Sequence, residues 1–222
     1  MKTHPKHLIA GASLALLAAL GGNAHAQVGT DTLVGWNVLG DAVSQGGAIT
    51  VTTAFLDGGG DEAHNLSGNS AELIGNVEAA AGVAPFALDL PVAHFGTEGS
   101  VVSQSFTAAA GQTLRFDWSF ATVEDTFLDH AFVVIGGELF TLATTAQPGG
   151  SVQSFSYSFA HGGLATLAFG VVDTDDSNGV SSLSIGKLQL STVTAPVPEP
   201  ETYALMLAGL SMLARVARRR GP

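Results

Sequence analysis

The densest group of oxygen ligands in the sequence is the stretch DTDDSNG at residues 173–179, between two segments that read as strands. Ca²⁺ takes about six to eight hard oxygen ligands, and alternate carboxylates in a tight loop can converge on one ion. The stretch is not an EF-hand loop, because no glutamate follows at the required distance and no helices flank it. It is a candidate Ca²⁺ loop of another kind.

A second acidic loop follows the segment that contains Trp118. If the two loops meet at one rim of the fold, their mutual repulsion favours a shared cation. We therefore predict Ca²⁺ as the cofactor, bound by ligands from both loops: Glu124, Asp125, Asp129, Asp173, Asp175, Asp176 and Asn178. The alternative is a solvated acidic turn held by Asx hydrogen bonds.

Other side chains offer weaker candidates for chemistry. Glycoside hydrolysis needs two carboxylates placed across a sugar, and four acids could be nominated: Glu98, Asp117, Glu124 and Glu138. Since no second motif selects a pair, we predict no catalytic residues and a protein that is not an enzyme. A secreted glycan-active hydrolase on a jelly-roll scaffold is the alternative.

Zinc and nucleophilic chemistry find little support in the sequence. The histidines lack short metal-ligand spacing: His64, His94, His130 and His161. No G-x-S-x-G nucleophile motif occurs. Trp36, Trp118 and Tyr157 could stack on a sugar ring, but Trp118 alternates with core-type residues, which favours packing.

The elements that position these groups are short alternating strands. Period-two runs separated by Gly, Asp, Asn and Ser clusters cover residues 49–55, 101–106, 113–120, 131–135, 139–144, 154–159, 164–172 and 182–190. Gly136 and Gly137 predict a two-residue hairpin turn. One short helix is expected from a Ser70 cap to Gly82. The pattern predicts an all-β fold, an antiparallel β-sandwich of jelly-roll type with about nine strands.

Charge is distributed very unevenly along the chain. Residues 27–195 hold 17 acidic residues but only two basic ones, Arg115 and Lys187, so this region carries −15 against −11 for the whole chain. Such a charge repels nucleic acid and anionic lipid headgroups, which excludes both as partners. It also requires cations to gather on the fold. Because the chain has no cysteine, no disulfide can support it.

The N-terminus has the three parts of a secretory signal peptide. Residues 1–26 begin with Lys2 and Lys6, continue with an apolar run and end with Ala24-His25-Ala26. Small residues at these positions predict cleavage after Ala26. The folded domain is then expected over residues 27–195.

The C-terminus, residues 196–222, sets a Pro-Glu-Pro turn before an apolar helix of about residues 203–217 and a basic cluster. The prolines separate this tail from the folded domain, because they cannot continue a helix or a central strand. The turn is Pro198, Glu199 and Pro200, and the cluster is Arg215, Arg218, Arg219 and Arg220. Since basic residues stay on the cytoplasmic side during insertion, we expect the bulk of the chain outside. The helix would rise about 24 Å against a hydrocarbon core of about 30 Å, which makes its transmembrane span short.

This order resembles the PEP-CTERM sorting signal, which implies an exosortase-type processing enzyme as partner. It also implies export across the inner membrane, C-terminal anchoring, and a final place at the cell surface or outside the cell. The resemblance extends inward to secreted PEP-CTERM β-sandwich proteins through residues 97–100, 110–120, 129–133, 155–159 and 169–173. The family commonly has Asn-Asp-Phe where this chain has Leu128-Asp129-His130. The resemblance implies export and a β-sandwich architecture and suggests glycan binding. With the acidic loops described above, we expect a non-catalytic envelope or extracellular-matrix protein that binds polysaccharide with Ca²⁺ support.

Overall fold

The computed structural model describes residues 28–56, 58, 60–91, 93–124, 126–192, 205–210 and 215. The predicted signal peptide with Ala24 and Ala26, the Pro198-Glu199-Pro200 turn and Arg218 to Arg220 lie outside these residues. Arg215 is described and exposed. Among the described residues, no helix has the length and apolar character needed to cross a membrane.

Residues 28–192, as far as they are described, contain eleven strands and one α-helix, and residues 205–210 near the C-terminus are helical as well. The strands are β1 (Asn37–Leu39), β2 (Asp41–Gln45), β3 (Ala48–Thr52), β4 (Glu72–Leu73), β5 (Gly96–Ala108), β6 (Gln112–Thr122), β7 (His130–Ile135), β8 (Glu138–Thr144), β9 (Gln153–Ser158), β10 (Gly163–Thr174) and β11 (Ser181–Thr192). The helix is α1 (Ile74–Ala81), and a single 3-10 turn covers Asp61–His64.

Two antiparallel sheets pack face to face, which confirms the predicted β-sandwich. The six-stranded sheet has the order β1-β5-β10-β7-β8, with β4 added beside β5, and the five-stranded sheet has the order β2-β3-β11-β6-β9. Alternate residues of each strand fill the space between the sheets. Phe116, Phe169 and Leu183 are almost fully buried there.

The six-stranded sheet is covered on its outer face as well. Val77 and Ala81 of α1, together with Leu88, pack on the other side of β5, β7 and β10, against Val101 and Phe132. These strands are therefore apolar on both faces, as expected for a sheet between two layers.

The helix begins later than its sequence predicts. Ser70 does not cap it, since its hydroxyl accepts the backbone N–H of Leu56, while residues 72–73 pair with β5 as β4. The helix begins after Leu73 with no side-chain cap, and Gly82 ends it with φ +76°, as predicted. Residues 72–73, which the capping pattern placed in the first turn of the helix, therefore form a strand instead.

Gly99 lies where β5 and β10 approach most closely. A Cβ added to Gly99 would overlap the carbonyl oxygen of Val171, whereas one added to Gly75 in α1 would meet no atom within 4 Å. We expect Gly99→Ala to lower the free energy of unfolding by about 2 kcal/mol, because the strands must separate. The matched change Gly75→Ala should raise it by about 0.5 kcal/mol, because alanine favours the helix. Urea denaturation measures both, and equal effects would contradict this packing.

Candidate functional site

The pairing of β5 with β10 places two acidic residues opposite each other inside the sandwich. Glu98 is the direct cross-strand partner of Asp173. Both side chains continue the core-facing series of their strands, which includes Val102 on β5 and Val171 on β10. Glu98 is 3% exposed and Asp173 is 0% exposed. Like charges on directly opposite strand residues repel, so this pair is electrostatically unfavourable by itself.

Asp129 enters the same space from the start of β7 and is fully buried. Its Oδ2 accepts a hydrogen bond from the Ser181 hydroxyl at 2.6 Å, and its Oδ1 accepts the backbone N–H of Thr174 at 3.3 Å. Since Ser181 belongs to the five-stranded sheet, Asp129 connects the two sheets at this end of the sandwich.

Asp176 approaches from the loop after β10. The Thr97 hydroxyl, next to Glu98, donates to the backbone carbonyls of both Asp173 and Asp176 and so fixes this loop against β5. One carboxylate oxygen of Asp176 accepts a long 3.4 Å contact from the Asn178 amide, and the other is buried without a partner.

Glu98, Asp129, Asp173 and Asp176 are hereafter called the buried acidic cluster. Burial raises the pKa of Glu98 to about 7 and that of Asp129 to about 7. Burial also raises the pKa of Asp173 to about 10, and the charges of Asp129, Glu98 and Asp176 add to this effect. Glu98, Asp129 and Asp173 therefore lie in a region that is poorly screened by water.

The two acidic loops lie side by side, but not every predicted ligand joins the cluster. Glu124 lies against Gly179 of the other loop. Its Oε1 accepts the backbone N–H groups of Thr126 and Phe127, so it holds its own loop. Asp125 lies outside the described residues.

Asp175 is directed away from the cluster. Its Oδ2 lies 2.5 Å from Nδ1 of His94, and its Oδ1 accepts the backbone N–H of Phe95. The His94 contact, followed by the Phe95 bond, lowers the pKa of Asp175. Asn178 is exposed. Glu98 was not among the predicted ligands. It joins the cluster because β5 pairs with β10, and no local sequence pattern predicts this pairing.

The carboxylates nominated for hydrolysis do not share one cleft. Asp117 on β6 is bound by Lys187 at 2.8 Å and by the Ser154 hydroxyl at 2.6 Å. The Lys187 contact, followed by Ser154, lowers the pKa of Asp117. Glu138 lies on β8 in the opposite sheet, and Glu98 is buried.

The aromatic residues considered for sugar stacking serve the core. Trp36 is 9% exposed and Trp118 is 8% exposed, and both belong to the main core, against which Tyr157 packs. The packing interpretation of Trp118 is therefore confirmed.

In contrast to the covered sheet, the outer face of the five-stranded sheet is lined with hydroxyl groups. Thr50, Ser184 and Ser119 form one cross-strand row, in which the Thr50 and Ser184 hydroxyls lie 2.8 Å apart. Ser154 and Ser156 continue the face onto β9. We call this surface the hydroxyl face.

Three shallow grooves lie on the hydroxyl face, with volumes of about 420, 320 and 270 Å³. The first is lined by Thr50 and Ser182, among others, and the second by Ser119 and Ser184. The third has a more varied polar lining: Arg115, Asp117, Ser154, Ser156, Lys187 and Gln189. The face thus offers hydroxyl, amide and charged groups along several strands.

The raised pKa values predict how the metal-free protein responds to pH. Glu98, Asp129 and Asp173 hold protons in the folded state that they lose on unfolding above their ordinary values of about 4. Between about pH 4.5 and 7 the free energy of unfolding should therefore fall as pH rises. Over this range His130 acts in the opposite direction, because burial lowers its pKa to about 4.

Urea denaturation of chelator-treated protein at pH 5, 6 and 7 measures this dependence. Asp129→Asn should flatten the curve, whereas Asp117→Asn on the other sheet should leave its slope unchanged. Stability that rises with pH over this range would contradict the electrostatics of the cluster.

Comparison with known proteins identifies the C-terminal segment. Residues 196–220 match the family model of the PEP-CTERM protein-sorting motif, which confirms the prediction from the Pro-Glu-Pro, apolar and arginine blocks. No curated protein matches the chain in sequence.

Solved structures with a similar arrangement of strands include carbohydrate-binding modules. TmCBM61 in complex with β-1,4-galactotriose is 13% identical, with 73% of this chain and 92% of that chain covered and a TM-score of 0.35. The N-terminal cellulose-binding domain from Cellulomonas fimi β-1,4-glucanase C is 12% identical, with 75% and 93% covered and a TM-score of 0.36. The chain thus combines a β-sandwich with a C-terminal PEP-CTERM sorting motif, consistent with an exosortase substrate.

Proposed function

We propose that this protein is a non-catalytic, polysaccharide-binding component of the cell envelope or extracellular matrix, and that the hydroxyl face binds the glycan. The sorting motif supports export and a final location where polysaccharide is present. The observation that carries the proposal is the asymmetry of the sandwich. Helix α1 and its neighbours cover one sheet, while the grooves described above lie on the open face of the other.

The chemistry of this face suits a sugar chain. Sugar hydroxyls both donate and accept hydrogen bonds, as do the serine and threonine hydroxyls that line the grooves. In the third groove, the Arg115 guanidinium and the Gln189 side chain add donors beside the Asp117–Lys187 pair. The grooves continue one another across neighbouring strands, which suits an extended polymer more than a small metabolite.

The face favours weak binding. The main stacking candidates, Trp36 and Trp118, are in the core, so a bound sugar would gain hydrogen bonds in place of hydrogen bonds to water. We therefore expect dissociation constants of about 0.1 to 1 mM for a single oligosaccharide, equivalent to about −4 to −5.5 kcal/mol. A polymer that contacts several copies at a surface would bind more tightly through multivalency.

Binding is tested by blocking the centre of the hydroxyl face. Ser184 lies on β11, in the middle of the five-stranded sheet, and is half-buried. Ser184→Arg should lower affinity for polysaccharide at least tenfold, because the side chain would lie across the grooves. The matched control is Thr141→Arg, at an exposed position on β8 of the other sheet, which should bind as the unmodified protein does.

Affinity electrophoresis against a panel of neutral and acidic polysaccharides measures this binding, and thermal unfolding checks that both variants fold. Release of reducing sugar, measured in the same samples, tests hydrolysis. The proposal fails if the protein binds nothing in the panel, if Ser184→Arg binds normally, or if sugar is released.

A further inference from the structure

The buried acidic cluster lacks the counter-charge that such a group requires. Arg115 and Lys187 are the only Lys or Arg residues between positions 27 and 195. Lys187 lies six residues along β11 from Ser181, about 20 Å away, and Arg115 lies seven residues along β6 from Thr122, about 23 Å away. Lys187 is also bound to Asp117. No lysine or arginine of the sandwich can therefore neutralise the cluster.

The cluster also contains oxygens that form no hydrogen bonds. Both carboxylate oxygens of the fully buried Asp173 lack a hydrogen-bond donor from any neutral or basic group, since its one neighbour within reach is the acid Asp176, and one oxygen each of Glu98 and Asp176 lacks a partner too. Other buried acids in the protein are satisfied. Asp41, also fully buried, accepts bonds from the Thr52 hydroxyl and from the backbone N–H groups of Leu66 and Ser67. Burying an unpaired polar group is costly, so the unpartnered oxygens of the cluster indicate a missing ligand.

We propose that Glu98, Asp129, Asp173 and Asp176 bind one Ca²⁺ ion between the sheets at this end of the sandwich. Three of the ligands come from neighbouring strands or their ends, and the fourth comes from the loop after β10. The Ser181 hydroxyl, which already binds Asp129, provides a further oxygen nearby. The set contains only hard oxygen donors, which suits Ca²⁺ and disfavours zinc or copper.

The carboxylates would close around the ion when it binds. Among the described residues, no three His, Asp or Glu side chains are already grouped as a metal centre. Binding therefore requires the four side chains to rotate toward a common centre. The ion would then connect β5, β7 and β10 to the following loop. In an exported chain without cysteine, it would stabilise the fold as a disulfide does elsewhere.

The test uses the full chain, freed of metal by chelation and dialysis, and titrated with CaCl₂ by calorimetry. We expect one site with a dissociation constant of about 10⁻⁵ to 10⁻³ M, the range of sensor and extracellular sites. Addition of 10 mM Ca²⁺ should raise Tm by about 5 °C or more. Equimolar Mg²⁺ should have a smaller effect, because it demands a tighter octahedral geometry.

Asp173→Asn and Glu98→Gln should each weaken Ca²⁺ binding at least tenfold. In chelator, however, both variants should be as stable as the unmodified protein or more stable, since each replaces a buried acid, which is costly to keep either charged or protonated, with a neutral amide. A merely structural carboxylate would behave in the opposite way, because its removal would destabilise the metal-free protein. The matched control is Asp175→Asn, two residues from Asp173 but bound to His94, which should retain the Ca²⁺ affinity.

Two results would overturn the proposal. One is a metal-free protein that shows neither binding heat nor a change in Tm with 10 mM Ca²⁺. The other is Ca²⁺ binding that survives in both Asp173→Asn and Glu98→Gln. Glycan binding on the hydroxyl face is measured separately, so either proposal can fail without the other.

Discussion

The buried pair Glu98 and Asp173 is the constraint on which this end of the sandwich depends. At the separation usual for opposite residues on paired strands, two carboxylates repel by about 3 kcal/mol at an effective dielectric constant of about 20. Asp129 and Asp176 add to this repulsion, as the raised pKa of Asp173 reflects. The backbone nevertheless holds them together, because β5 and β10 pair along their length and Gly99 lets them approach closely. The fold thus concentrates charge where hydrophobic packing would have been simpler.

The two sheets divide the remaining roles. The six-stranded sheet is packed on both faces, against the other sheet on one side and against α1 and Leu88 on the other. The five-stranded sheet contributes one face to the core and leaves the hydroxyl face to solvent. Because Ser182, Ser184 and Gly186 on β11 have small side chains or none, little projects from the middle of that face. This combination leaves a broad shallow surface rather than a deep cavity, which suits contact with a polymer.

The sequence predicted the sandwich because strand alternation is a local property. The long strands from β5 to β11 follow the alternating runs, and the Gly136-Gly137 turn has the expected positive φ at both residues. The short strands β1, β2 and β4 were not predicted, since each has only two to five residues, and β1 and β4 also depend on β5, which is distant in sequence. The helix start failed for the same reason, because β4 pairing overrides the Ser70 cap.

The acidic site was predictable only in part, and for a related reason. Composition and the two acidic loops indicated that a cation site would form only if the loops lay at one rim, and Asp129, Asp173 and Asp176 lie at the same end of the sandwich. The order of residues in a loop does not show which side chains point inward, as it does in a strand. Asp175, for example, has a left-handed φ of +74°, which directs its side chain to His94. Glu98 joins through the register of β5 and β10, which no single segment encodes.

The cluster and the hydroxyl face meet at the start of β11, where successive residues point in opposite directions. The Ser181 side chain turns inward to Asp129, whereas Ser182 lines the largest groove on the outer face. Successive side chains of a strand point to opposite faces, so an interaction that fixes the position of Ser181 also fixes the backbone of Ser182. A cation that drew Asp129 toward Asp173 would thereby restrict the rim of the groove. If both proposals hold, a cation inside the sandwich and order at the rim of the hydroxyl face would be linked through β11.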